Sequence, residues 1–192
     1  MKRTLIILSA ILLLLPVYCI YGYHGLGTHF QDAGREEGQT LVMFWNLENL
    51  FDWCRDTLGG NESEAEFSSF GKKHWTKRRF LAKCNAIAKS IFWVKDKEGI
   101  LPDVIGIAEV ENRFVLERLL RETPLYKTDY RIVHFDSPDP RGIDVALLYR
   151  SSRLELIQAK PIAVGGGTDP PFRTRDILLA RFRKPDGDSL AF

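Results

Sequence analysis

A short apolar run that ends on a carboxylate constrains this chain more than any other feature. Residues 101–112 pass from a Pro-Asp turn through Val104, Ile105, Gly106, Ile107 and Ala108 into Glu109, Val110, Glu111 and Asn112. A run that is short, β-branched and free of charge reads as a strand buried on both faces, so Glu109 stands where that strand leaves its sheet. An ionised carboxylate at the rim of a buried sheet needs a hydrogen bond, an ion pair or a cation, and as a hard oxygen ligand it suits Mg²⁺ or Ca²⁺. The same charge, on Glu109 or Glu111, also fits the N-terminus of a following helix, where backbone dipoles favour it. A second run repeats the pattern: residues 41–45 are apolar and end on Asn46, with Glu48 and Asn49 close behind. Two buried strands that each close on a polar side chain point to one shared edge of a sheet, which is where open sheets place their sites. Turn chemistry is the plainer reading of Asn46 and Asn49.

At 192 residues, 45% hydrophobic and 11% aromatic, the chain has the size of one domain and the apolar material for a core. Lys2 and Arg3 precede a stretch from residue 4 to 20 that has no charge and is rich in Leu and Ile. That is the layout of a secretory signal or signal anchor over residues 1–22, with residues 4–21 attached to a membrane if it is not cleaved. Either form predicts an exported protein, periplasmic, secreted or membrane-anchored facing outward. Without Lys2 and Arg3, the 27 basic residues fall to 25 and balance the 25 acidic ones, so attraction to phosphate has to be local. In an oxidising compartment Cys54 and Cys84 could pair, although two core thiols fit as well.

Residues 23–40 read as a linker. Lys72, Lys73, His74, Lys77, Arg78 and Arg79 surround Trp75, a mixture able to meet a phosphate backbone, but Thr76 is a natural N-cap. Phe80, Cys84, Ile87, Ile91 and Val94 then follow at helical spacing, which makes the basic side chains a solvated helix face. Asn112 can cap a second helix carrying Val115, Leu116, Leu119 and Leu120 and closed by Pro124. Strands are expected over 130–135, 145–149 and 177–182, with extended chain over 154–164 broken at Pro161 and a loop over 136–142. His134 falls in a strand as a packed side chain. Arg175 opens the strand at 177, where its guanidinium could fork onto a phosphate or pair with Asp176 or Asp169.

Four stretches appear in a familiar order: residues 45–52 (Trp-Asn-Leu-Glu-Asn-Leu-Phe-Asp), 102–110 (Pro-Asp-Val-Ile-Gly-Ile-Ala-Glu-Val), 141–150 (Arg-Gly-Ile-Asp-Val-Ala-Leu-Leu-Tyr-Arg) and 174–178 (Thr-Arg-Asp-Ile-Leu). Together they resemble the endonuclease/exonuclease/phosphatase superfamily in its secreted bacterial branch, over about residues 40–192. The resemblance implies a four-layer α/β sandwich, two packed mixed sheets with helices outside and the site at one end, of which residues 41–192 make the N-terminal part. It also implies metal-assisted hydrolysis of a phosphate ester with Mg²⁺, Mn²⁺ or Ca²⁺. By position Glu109 resembles the family's metal-binding glutamate, Asn46 the asparagine that orients metal and phosphate, and Arg175 the phosphate-contacting arginine. Asp144 and Arg141 lie in a matching segment without an assigned role. The family's Asn-His, Asp-x-Asn and C-terminal Asp-His motifs have no counterpart here, and His24, His29, His74 and His134 do not replace them.

The leading expectation is an exported phosphodiesterase acting on nucleic acid. A phospholipid head group or an inositol phosphate is the alternative within the family. From another class comes a non-catalytic exported half-domain that binds a partner or an anionic ligand. Residues 23–192 alone are expected to be marginally folded and to hydrolyse nothing, because most of the second sheet is missing and apolar faces of the first are left uncovered, and to bind Mg²⁺ weakly, because Glu109 and Asn46 are only part of the shell.

Overall fold

Eight strands and two helices follow from these patterns in a computed structural model, which describes residues 4–8, 35, 38–53, 66–164 and 173–192, the first five by backbone only. In order they are β1 (Thr4–Leu8), β2 (Thr40–Leu50), α1 (Lys77–Glu98), β3 (Val104–Val110), α2 (Arg113–Arg121), β4 (Tyr130–His134), β5 (Asp144–Arg150), β6 (Glu155–Ile162), β7 (Ile177–Arg183) and β8 (Ser189–Ala191). Thr76 caps α1 by accepting the Arg79 N–H, and Asn112 caps α2 by accepting that of Val115. Both caps satisfy helix N–H groups that have no partner within the helix.

The first sheet has the order β1-β2-β3-β5-β4 and the second the order β6-β7-β8. The 22-residue helix α1 carries the chain across so that β3 lies parallel to β2, as a crossover helix permits. β5 inserts between β3 and β4, antiparallel to both. The apolar stripe of α1, Phe80, Cys84, Ile87, Ile91 and Val94, packs with Val115, Leu116 and Leu119 of α2 on one face of this sheet. The other face meets the second sheet through Val104, Val133 and Leu147 against Leu154, Ala180 and Phe182. Among the described residues the layers are helices, sheet, sheet. The fold is the α/β sandwich expected, with the helix layer beyond β6–β8 not among the described residues.

One local expectation is corrected. Pro161 does not break its strand: β6 runs through it, with Pro161 opposite Leu178. As the outer strand of its sheet β6 tolerates a residue without an N–H. Cys84 is a free, buried thiol, and Cys54 lies outside the described residues. Thr4–Leu8 pairs in parallel with Thr40–Phe44, while the rest of residues 1–22 lies outside the described residues. Asp103, read as half of a turn, is a buried hub. Its carboxylate takes a bidentate fork from Arg35 at 2.8 and 2.9 Å and the Leu41 N–H at 2.9 Å. This ties the segment before β2 to the start of β3.

Between the sheets an apolar cleft of about 550 Å³ opens beside Val42, Phe44, Gly106, Leu147, Ile177 and Phe192. Phe44 is 47% exposed and Ile177 59%. The second sheet therefore covers the β5 side of the first more fully than the β2 side.

Candidate active site at the ends of the parallel strands

Because β2 and β3 are parallel neighbours, with Asn46 level with Ala108, their polar terminal residues reach one edge together. The register then breaks: Asn46 pairs with Ala108 but Leu50 with Val110, so β2 spends four steps where β3 spends two. The surplus is absorbed by left-handed backbone at Glu48 (φ 54°) and Asn49 (φ 65°), and Glu109 opposite them also lies there (φ 64°). Non-glycine residues in this region are strained, and such strain concentrates at functional sites.

The irregularity aims side chains. Asn46 Nδ2 donates to Glu109 Oε1 at 2.9 Å, and Asn46 Oδ1 accepts the Glu48 N–H at 2.8 Å. Asn46 thus joins the β2 bulge to the β3 carboxylate, and both of its polar atoms are engaged in doing so. Its amide nitrogen holds Glu109 in place, and its Oδ1 keeps a second lone pair beyond the one that accepts the Glu48 N–H. Glu111 is committed elsewhere, since its Oε2 accepts the Asp52 N–H at 2.6 Å. Lys83 reaches in from α1: its Nζ donates to the carbonyls of Glu48 at 2.7 Å and Asn49 at 3.3 Å. Burial holds the Lys83 pKa below its ordinary value, against the opposite pull of Glu48, Cys84 and Glu109.

Glu109 fits a divalent cation. It is half-buried, it accepts one amide hydrogen bond, and among the described residues no ion pair neutralises it. A hard cation such as Mg²⁺ is held by one or two carboxylates together with waters and phosphate oxygens, which is the donor set such a carboxylate leaves room for.

Arg175 stands at the start of β7 and meets neither Asp176 nor Glu109. Its Nε lies 3.6 Å from Oδ2 of Asp139, in the loop before β5. The same carboxylate accepts the Arg141 N–H at 2.9 Å, Nε at 3.0 Å and Nη2 at 2.7 Å. Hydrogen bonding from Arg141 holds the Asp139 carboxyl below its ordinary value, and both Asp139 and the charge of Glu109 push the Arg141 pKa up.

Asp144, unassigned from the sequence, is structural. It accepts Ser137 N and Oγ at 2.9 and 2.5 Å and pairs with His134 Nε2 at 3.0 Å. With Asp136 these residues place ligand-type atoms within 4.8 Å of one another. Both oxygens of Asp144 are already satisfied, however, and His134 is the packed side chain expected.

The sequence reading missed Asp139 and Lys83. Lys83 carried a signal, because it sits three residues after Phe80 and four before Ile87, on the apolar stripe of its helix. Asp139 offered only a Pro-rich loop.

Residues 41–192 match the profile of the Endonuclease/Exonuclease/phosphatase family. The chain belongs to this family. Endonuclease/exonuclease/phosphatase members are hydrolases that act on phosphate esters. The chain is similar to the human Nocturnin catalytic domain with bound sulfate (TM-score 0.48, 17% identity, 78% of this chain and 46% of that one). It is also similar to a family protein of Bacteroides thetaiotaomicron (0.47, 15%, 80% and 47%). A third likeness is to a mannosyl-6-phosphatase of the same organism (0.47, 14%, 80% and 49%). The chain spans less than half the length of these structures. The comparison with curated proteins finds no match.

Proposed function

We propose that this protein is an exported phosphodiesterase, with nucleic acid as its first substrate, that works with a divalent cation held at Glu109. The observation that carries the reading is the strained, Asn46-held Glu109 at the end of β3. Bound there, Mg²⁺ or Mn²⁺ would supply the positive charge that polarises a phosphate. Glu109 is the ligand, Asn46 keeps its carboxylate from rotating, and Arg175 offers guanidinium N–H groups to the non-bridging oxygens. The exposed basic side chains of residues 72–79 support a polyanionic substrate, since they open the helix whose Lys83 reaches the site. The uncharged, Leu- and Ile-rich stretch at residues 4–20 supports export.

The test is cleavage of plasmid DNA and RNA by a full-length form with Mg²⁺, against EDTA and against Glu109→Gln in that same form. Loss of the ligand charge is expected to lower turnover by about a hundredfold or more, and Mn²⁺ binding, read by electron paramagnetic resonance, is expected to weaken in parallel. Intact nucleic acid together with phosphocholine or inorganic phosphate released from small esters would redirect the substrate. Unchanged Mn²⁺ affinity in Glu109→Gln would remove Glu109 as the ligand.

A further inference from the structure

We infer that Phe70 is a stacking platform for one unpaired base of a nucleic-acid strand, and that Lys72 and Lys73 beside it take the strand's phosphates. The inference rests on the reading of the chain as a nucleic-acid phosphodiesterase and deepens it, because a base can stack on this ring only where the strand is single.

Phe70 is 100% exposed, whereas the other large apolar side chains at the surface of the described residues lie between 37% and 65%. The same loop turns its other phenyl ring inward. Phe67 stacks on Phe51 with ring centroids 4.6 Å apart and meets Trp75 edge-on at 5.9 Å. The two phenylalanines are chemically alike, so the backbone, not hydrophobicity, sends one ring in and the other out. That backbone is closed on itself. The N–H groups of Gly71 and Trp75 both donate to the Ser68 carbonyl, at 3.1 and 2.9 Å, and that of Lys73 donates to the Glu66 carbonyl at 3.0 Å. The His74 N–H returns to the Gly71 carbonyl at 2.9 Å, with His74 in left-handed backbone at φ 45°. Phe70 cannot fold back onto the core without breaking these bonds, so a ligand meets a ring whose backbone is already ordered.

The charge around the ring has one sign. From Glu66 to Lys83 the sequence holds one acid and six bases, Lys72, Lys73, Lys77, Arg78, Arg79 and Lys83. Lys72 reaches Glu66 only at 4.0 Å and is 83% exposed, and Lys73 lies 6.0 Å from the Phe67 ring centroid. An aromatic face flanked by cations suits a single strand, since every base has a π-face and every nucleotide a phosphate. Direct contacts fasten this loop to the end of β2. The Trp75 indole N–H donates to the Phe51 carbonyl at 2.7 Å, and Lys83, 5.6 Å from the Trp75 ring centroid, donates to the Glu48 carbonyl. The Glu48 N–H is the one that Asn46 accepts while it holds Glu109. The loop and Glu109 therefore share one edge of the sheet. An anionic lipid surface also attracts aromatic rings and lysines, but one phenyl ring buries too little apolar area to hold a protein on a bilayer, where a whole acyl chain is marginal. One ring is enough for one base.

The experiment measures binding of the full chain, in EDTA, to a short fluorescein-labelled oligodeoxynucleotide of mixed sequence and to its blunt duplex, by fluorescence anisotropy. Phe70→Ala is expected to weaken single-strand binding about tenfold, the scale of one base stacked on one ring. Its duplex affinity and melting temperature should stay at wild-type values, because a fully exposed ring supports no packing. Phe70→Trp should keep the affinity and show indole quenching by the single strand beyond that of the wild type. Lys72→Gln and Lys73→Gln should weaken strand and duplex alike, and each should flatten the slope of log K against log salt on the single strand by about 0.7. Arg183→Gln, on an exposed arginine paired with Glu155, should change nothing. Wild-type single-strand affinity in Phe70→Ala overturns the platform, as do equal losses on strand and duplex or undetectable strand binding by the wild type. An unchanged salt slope in both Gln variants removes the lysines from it. If Phe70→Ala loses binding to phosphatidylserine vesicles and keeps its oligonucleotide affinity, the ring belongs to a lipid surface and the platform falls. The expected binding pattern without cleavage of any nucleic acid by a full-length form with Mg²⁺ would sink the phosphodiesterase reading and leave the platform standing.

Discussion

Glu109 combines two conflicting demands on one residue. Its φ of 64° suits glycine, while its position at the strand end requires a carboxylate. A side chain in left-handed backbone costs roughly 1–2 kcal/mol. Glu109→Gly is therefore expected to be more stable than Glu109→Ala by about 1 kcal/mol in urea unfolding, although neither can bind a cation. Equal stabilities would mean that the strand end relaxes and stores no strain. Asn46 presents the complementary case, since its amide joins two backbones through Glu109 Oε1 and the Glu48 N–H. Asn46→Ala is expected to lower activity less than Glu109→Gln does, because it loosens the ligand without removing it; a steady-state comparison at saturating Mg²⁺ decides this.

At the scale of the element, α1 braces the site as well as covering the sheet. Its capped N-terminus and apolar stripe explain why it packs; Lys83 explains why the β2 bulge keeps one conformation. Lys83→Met retains the apolar stem and removes the donors, so the Glu48 and Asn49 carbonyls lose their ammonium partner. The expected outcome is faster amide hydrogen exchange at residues 48–50 with little change over the β5 amides, since opening is local. Uniform exchange across the sheet would show that Lys83 stabilises the whole fold and not the bulge. The same helix shelters Cys84, whose thiol burial pushes up to about 12 with help from Glu122. Native Cys84 should accordingly resist thiol reagents until denaturant is added, which peptide mapping after alkylation would read.

Paired carboxylates set how the whole molecule's stability responds to acid. Asp139 is held below its ordinary value of 3.8 by Arg141, and Asp129 is held down by Ser152 and Arg150 despite its burial. A depressed folded value means that the stabilisation is fully present above the ordinary carboxylate range and disappears as pH falls through the folded values. The melting temperature is thus expected to be flat near neutrality and to fall below about pH 4. Asp129→Asn should flatten that fall; an unchanged acid limb in Asp129→Asn would assign the loss to other groups. Phe44 and Ile177 leave apolar surface exposed beside the inter-sheet cleft.

What could be read without coordinates was periodic or local. β2, β3, β5 and β7 announced themselves as apolar runs, α1 and α2 as capped apolar stripes, and Asn46 with Glu109 as polar ends of neighbouring strands, because strand and helix geometry leave a repeating mark along the chain. The family was legible for the same reason, its motifs being contiguous. Contacts between distant segments leave no such mark. That Arg175 meets Asp139 and not Asp176, that Asp103 gathers Arg35 and Leu41, and that Lys83 reaches a bulge 34 residues away depend on which elements the sheet brings side by side. A buried charge takes whichever partner the fold places within a few ångströms, and the tertiary structure alone decides which partner that is.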